Sequence, residues 1–301
     1  MYVTIPITLT DAMITATTAP DSGTGEYPGI VIWTATSFGS GDYVLHTPTN
    51  SVYRASSAAT SGDVPGVAVL WVFQAKNNPY RLIDGTQSSA TSAPGGFNMS
   101  IEHGTVAGAL AGFNISGVAS IVVSVNSDGE GYSRTIYMND NSEVINEWWY
   151  FFAPITYRSS FVIYDLPPSI APTIDIEFVT TATASVGEIV IGNRRTLGAA
   201  IDGSGFDNDD LSYVAYDEFG NVTDTVIRPN IDAISYDVKL DSNKVRYLRN
   251  TLKSIGKTTK CVWAGSIEPF DDLLSYGFYE NFSVIIYSNT SDCSIKVRTV
   301  A

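Results

Sequence analysis

The sequence predicts a mainly β protein: a small aromatic β-module, an antiparallel β-sandwich of jelly-roll type, and an α+β C-terminal part with one helix. Three observations carry that prediction. Aromatic residues make up 12% of the 301 residues while charged residues make up only 16%, a composition that fits pleated, contact-rich surfaces. Short runs of β-branched and aromatic residues recur between Gly, Pro, Asn and Asp turn signals. One segment alone carries a sustained helical period, with Val245, Leu248, Leu252 and Ile255 at steps of three, four and three and Gly256 at its end.

Residues 1–28 begin with the alternation Tyr2-Val3-Thr4-Ile5 and pass through a Thr/Ala stretch into Pro20-Asp21-Ser22-Gly23-Thr24-Gly25. They read as an N-terminal arm followed by a flexible joint. Such an arm either adds to a neighbour's sheet edge or forms an edge strand of its own domain.

Residues 29–85 read as the small module. Its skeleton is Trp33, Phe38, Gly41-Asp42-Tyr43-Val44, Tyr53-Arg54-Ala55, Pro65 and Trp71. The Gly-Asp pair turns the chain into a period-two strand. So short a unit buries little backbone, so large rings must supply its core. Rings also stack on the C–H faces of sugars, which makes Trp33, Tyr43, Tyr53 and Trp71 the carbohydrate-binding candidates. The residues alone leave open how many of the four are core and how many face a ligand.

Residues 86–195 read as the sandwich, opened by the Ser/Thr/Gly/Pro loop 86–97. Candidate strands are 98–103, 118–125, 135–138, 147–152, 160–164, 173–178 and 187–191. Asp128-Gly129 between two of them is a hairpin signal. Ile174-Asp175-Ile176-Glu177-Phe178 places two carboxylates on one face and three apolar side chains on the other. Trp148-Trp149-Tyr150 reads as core on one face and interface on the other. Residues 196–301 read as the α+β part, with strands at 233–240, 260–264 and 278–287 flanking the helix.

Charge and motif content exclude several classes. A net charge of −14 argues against non-specific nucleic-acid binding, which needs clustered Lys and Arg. The apolar runs are too short and too often broken for a membrane span, and residues 1–13 lack the basic region of a secretory leader. Cys261 and Cys293 read as buried small hydrophobes rather than a disulfide or metal pair. The five Asn-x-Ser/Thr sequons, at Asn98, Asn114, Asn221, Asn281 and Asn289, are chance matches in a Ser/Thr-rich chain. His46 and His103 have no partner at ligand spacing and read as surface or half-buried strand residues. Asp207-Asn208-Asp209-Asp210 fails the EF-hand spacing and reads as a solvated loop. No nucleophile elbow or phosphate-cradling loop is present. The nearest carboxylate pairs for glycoside hydrolysis, Asp175 with Glu177 and Asp271 with Asp272, read as strand-face and turn residues. No enzyme, cofactor or metal is expected.

Three stretches carry resemblances. The skeleton from Trp33 to Trp71 resembles the small chitin-binding type of carbohydrate-binding module, with Phe38 where that family usually has Tyr. Its continuation, Asn77-Asn78-Pro79-Tyr80-Arg81 and Asp84-Gly85, looks like the form of this module carried by virion proteins of tailed bacteriophages. The closing strands of the sandwich look like those of a galactose-binding-like domain. Further on, Leu211-Ser212-Tyr213, Asp217 to Asn221, Arg228, the helix, Val262 to Gly265, Tyr276 to Phe282 and Ser291 to Ile295 follow in an order similar to a terminal domain of phage tail and baseplate proteins. The Lys296 to Ala301 ending departs from the acidic-Gly ending of that family. The resemblance implies a structural component of a virion tail or baseplate, assembled in the host cytoplasm, that packs as a homo-oligomer against itself and other tail proteins. The alternative it implies is a host-surface glycan-binding module for adsorption. A wall-degrading enzyme or a head-fibre or connector protein ranks below both.

Overall fold

The computed structural model describes residues 1–127, 130–140, 148, 152, 156–167, 169, 172–228, 230–265 and 273–300. The chain is mainly β, with the described strands paired antiparallel except Val31–Ile32, which runs parallel to Tyr43–His46, and with one long helix in its C-terminal part. Its strands are β1 (Tyr2–Pro6), β2 (Ile14–Thr17), β3 (Val31–Ile32), β4 (Tyr43–His46), β5 (Ser51–Ala55) and β6 (Trp71–Lys76). Then come β7 (Thr91–Glu102), β8 (Ala109–Ser116), β9 (Ser120–Ser127), β10 (Glu130–Tyr137), β11 (Asn139–Asp140), β12 (Thr156–Tyr157), β13 (Phe161–Ile163) and β14 (Thr173–Thr196). The last are β15 (Ala199–Ala200), β16 (Gly205–Asp210), β17 (Tyr213–Tyr216), β18 (Val222–Val226), β19 (Asn230–Asp241), β20 (Cys261–Ala264), β21 (Leu274–Ile285) and β22 (Thr290–Thr299), with helix α1 (Val245–Ile255) before β20.

The axis of the fold is β14, 24 residues long. In its first half Ile174, Ile176 and Phe178 are buried while Asp175 and Glu177 face solvent, the alternation the sequence predicts. That half pairs with β9 on one side and β7 on the other. Past an irregularity between Val179 and Thr183 the strand keeps β7 as far as Val186 and exchanges β9 for β8 on its other side, and Ile189 and Ile191 enter the same core. So the two candidate strands at 173–178 and 187–191 are one strand that serves both layers of the sandwich. Between the layers lie Phe97, Met99 and Ile101 of β7, Ile121 and Val123 of β9, Leu110 of β8 and Phe161 of β13. β9 and β10 form the predicted hairpin, with Ser127 opposite Glu130; the Asp128-Gly129 turn and most of the candidate strand at 147–152 lie outside the described residues.

Residues 91–97 belong to β7 and not to a loop. Gly95 and Gly96 have φ of +80° and +86°, and a Cβ on Gly96 would sit 2.1 Å from the carbonyl oxygen of Phe178. The glycines that read as loop chemistry let β7 follow the irregularity of β14.

The N-terminal segment is not an arm. β1 lies between β14 and β20, with Tyr2 opposite both Thr196 and Ala264, and Val3 and Thr4 are fully buried. It joins the sandwich to the C-terminal part in one ladder, so the main sheet of 14 strands runs across the 195/196 division. Its backbone is β10-β9-β14-β1-β20-β21-β22-β19-β15, with the other strands branching from it. The Pro20 to Gly25 joint is also held, because Asn78 donates to the carbonyl of Pro20 and Asn77 accepts from the Ser22 amide.

In the C-terminal part α1 buries Leu248, Leu252 and Ile255 against Tyr236, Trp263 and Ile295, and Gly256 ends it at φ +66°. The Tyr236 hydroxyl, fully buried, donates to the carbonyl of Leu273 at 2.7 Å, and the Trp263 indole donates to the carbonyl of Gly277 at 3.1 Å. Cys261 and Cys293 are free and buried in this core, and burial pushes both thiols up to about 12. Asp207 to Asp210 lie in β16, paired with β19, and not in a loop. No helix of the described residues is long and apolar enough to cross a membrane.

Candidate functional site

The module is a four-stranded sheet of its own, in the order β3-β4-β5-β6. Gly41, at φ +95°, makes the turn that the Gly-Asp pair predicts, and the Asp42 carboxylate accepts from the Gly39 amide at 2.7 Å. Beyond the turn β4 pairs with β5 so that Tyr43 stands opposite Arg54 and Val44 opposite Tyr53.

The four candidate rings divide into two pairs. Trp71 and Tyr53 are inside, at 6% and 8% exposure. Trp71 packs edge-on to Phe38 at 5.6 Å and donates its indole N–H to the Asp63 carbonyl at 2.8 Å. Tyr53 sits between His46 and Phe73, and a Cβ on Gly66 would lie 2.9 Å from its hydroxyl oxygen. The faces of these two rings are therefore spent on the module's core. Trp33 and Tyr43 are half-buried. Trp33 meets His46 edge-on at 5.4 Å, with its indole nitrogen buried and without a hydrogen-bond partner. Tyr43 packs against Tyr27 at 5.4 Å, and the guanidinium of Arg54 lies 5.7 Å from its ring centre. The four rings thus do not form one flat platform.

The ring that sequence reasoning passes over is Phe73, 54% exposed on β6. Among the described residues β6 pairs only with β5, and its register shifts between Val52 and Tyr53, so strict alternation does not continue past Trp71. Val67, Val69 and Val72 are exposed on the same small module.

His46 and His103 are buried rather than at the surface. His46 shares a 2.9 Å hydrogen bond with Thr49, and burial lowers the pKa of both imidazoles. Asn77 precedes a short 3-10 helix, Asn78–Ile83, that leaves the module, and Asn77, Asn78 and Arg81 are buried. The Asn78 amide group donates to the carbonyls of Pro20 and Ser92 and accepts from the Ser92 amide. Arg81 pairs with Glu26 and donates to the Lys76 carbonyl at 3.0 Å. This step in the sequence is a structural knot between the module, residues 20–26 and the start of β7.

Past the knot lies a cavity of about 380 Å³ lined by Ile83, Asp84, Glu188 and Tyr276. Glu188 is 5% exposed, one carboxylate oxygen has no hydrogen-bond partner, and burial raises its carboxyl to about 7 against the opposing pull of Lys260. Asp175 and Glu177 project to solvent from β14, Asp271 and Asp272 lie outside the described residues, and no three His, Cys, Asp or Glu of the described residues converge as metal ligands.

No protein-family model matches the chain, and no curated protein matches it. Among solved structures it is similar to the F5/8 type C domain of a Bacteroides fragilis protein, at 14% identity over 39% of this chain and 81% of that one, with a TM-score of 0.26.

Proposed function

We propose that this protein is a structural component of a tailed-phage virion, in the tail or baseplate, which works by packing against copies of itself and against other tail proteins. The observation that carries the reading is the hairpin β17–β18, which forms a two-stranded sheet apart from the main one. Tyr213, Tyr216, Phe219, Val222 and Ile227 on and beside it are all exposed, Phe219 at 82%. A lone two-stranded hairpin is marginal in water, and apolar surface on this scale is what an assembly partner covers. The hairpin lies in the stretch whose residue order is similar to the terminal domain of tail proteins, which supports the same reading.

The test is the mass of the purified chain by light scattering over a range of concentrations, beside a Tyr216→Ser/Phe219→Ser variant. Both side chains are largely solvent-exposed and lie outside the buried core, so the variant is expected to keep the fold of the main sheet, which far-ultraviolet circular dichroism checks. The expected result is a defined oligomer for the parent and a smaller species for the variant. A parent that stays monomeric, and whose variant still enters assembled particles, overturns the reading.

A second reading, adsorption to host-surface glycan through the module, is favoured by the exposed ring of Phe73 and the half-buried Trp33. Weak binding per copy would gain from the many copies of a symmetric particle. Its test is binding to a glycan array by the parent and by Phe73→Ala.

A further inference from the structure

The chain carries 17 Lys and Arg against 31 Asp and Glu, yet four of its cations line one groove that contains a single carboxylate. The groove, about 780 Å³, lies where the end of β14 meets β15 and β19. Its floor is a close approach of backbones: Gly198 has φ +149°, and a Cβ there would sit 2.6 Å from the Lys239 carbonyl oxygen.

Two of the four cations are already committed. Arg194 donates to the Tyr164 carbonyl at 2.7 Å and lies over the Tyr2 ring, and Lys244 pairs with Asp241 at 3.2 Å. The other two are not. Arg195, at the end of β14, and Lys239, on β19, are exposed and have no ion-pair or hydrogen-bond partner for their side chains among the described residues. Beside them stands Tyr247, 43% exposed, whose ring packs on no other described ring. A guanidinium fork, an ammonium and a partly exposed aromatic ring in one groove form a complementary set. The fork takes a carboxylate or phosphate in bidentate fashion, the ammonium adds a second contact, and the ring takes the C–H face of a pyranose. The volume falls in the range of ligand clefts and exceeds what a lone anion fills.

We infer that this groove binds an acidic saccharide, a sugar chain bearing carboxylate or phosphate groups, through Arg195, Lys239 and Tyr247. The site is separate from the aromatic module, and it does not depend on the assembly reading, since a virion scaffold with or without it packs in the same way.

The experiment is calorimetric titration of the full chain at low and at raised salt. The probes are an oligogalacturonate, a glycerol-phosphate oligomer, a neutral malto-oligosaccharide and a single-stranded oligonucleotide. The two acidic saccharide probes separate carboxylate from phosphate as the anion. One of them is expected to bind with an affinity that falls as salt rises, and the neutral probe is expected not to bind. Arg195→Gln and Lys239→Gln should each weaken binding roughly tenfold, and Tyr247→Ala by a similar factor. Neither Gln variant should shift the melting temperature, because the charged groups have no partners to lose. Binding that survives in the Arg195→Gln/Lys239→Gln variant overturns the inference, as does failure of both acidic saccharides. Equal binding of the oligonucleotide would make the groove a general polyanion surface and also overturn it. If the double variant instead loses self-association while no saccharide binds, the groove seats the acidic surface of a second copy, and the saccharide reading is wrong.

Discussion

The ammonium of Lys260 donates to the carbonyl of Gly85, 175 residues earlier in the chain, at 2.6 Å. The same ammonium lies 6.0 Å from the ring centre of Tyr276 and exerts the attractive pull on Glu188. One side chain before β20 thus anchors the segment that leaves the module and moderates the buried carboxylate next to it. Lys260→Met keeps the aliphatic stem and removes the charge. Its expected cost is about 1.5–3 kcal/mol, the range for a charge-assisted hydrogen bond, read from chemical denaturation. Limited proteolysis should then cut between residues 83 and 91, where the parent resists.

Glu188 gives the stability a pH dependence of known sign. Burial raises its carboxyl to about 7, above the value of about 4.3 in an unfolded chain. The native state therefore holds this proton more tightly than the unfolded state. The associated stability is fully present below pH ~4 and is lost as pH rises through about 7, by an amount on the order of 3 kcal/mol. Glu188→Gln removes that slope. The difference in stability between variant and parent should move in favour of the variant from pH 5 to pH 8; a difference that is flat with pH would refute the assignment.

Asn78 is the centre of the polar knot. Asn78→Ala strands the carbonyls of Pro20 and Ser92 and the Ser92 amide in a part-buried site. A loss of roughly 2–4 kcal/mol is expected in urea unfolding. The Asn78→Asp variant, which keeps the acceptor and loses the donor, should recover only part of it.

Trp71 and Phe73, two residues apart, should behave oppositely. Trp71→Ala opens a cavity under Phe38 and loses the bond to Asp63, at a cost of about 3–5 kcal/mol, enough to unfold so small a module. Phe73→Ala should change stability by about 1 kcal/mol or less, because its loss is an edge contact with Tyr53. Near-ultraviolet circular dichroism with thermal melts distinguishes the two.

Much of the secondary structure is legible in the sequence because it rests on short-range periodicity. Ile174 to Phe178 alternate as predicted, and Leu248, Leu252 and Ile255 form the buried stripe of α1. What period cannot supply is the neighbour. Tyr2 to Ile5 read as a strand, but nothing local shows that it lies between β14 and β20. Turn chemistry misleads where glycine serves a bulge, as at Gly95 and Gly96. The aromatic skeleton of the module was legible as a set, yet which rings face inward depends on the register shift opposite Tyr53. The groove of Arg195 and Lys239 was invisible, since it forms only when strands that are distant in sequence line one cleft, with Lys239 of β19 paired to Ala199 of β15.

The place of β1 has a consequence for how the chain is made. β1 leaves the ribosome before either of its partners, one near residue 195 and the other near residue 263. Until both exist, its two hydrogen-bonding edges are open and Val3 has no core to enter. Continuity of the main sheet across its two halves therefore waits on a strand made before either of its partners, while the stacking of Phe113 on Tyr276 packs the halves together without it.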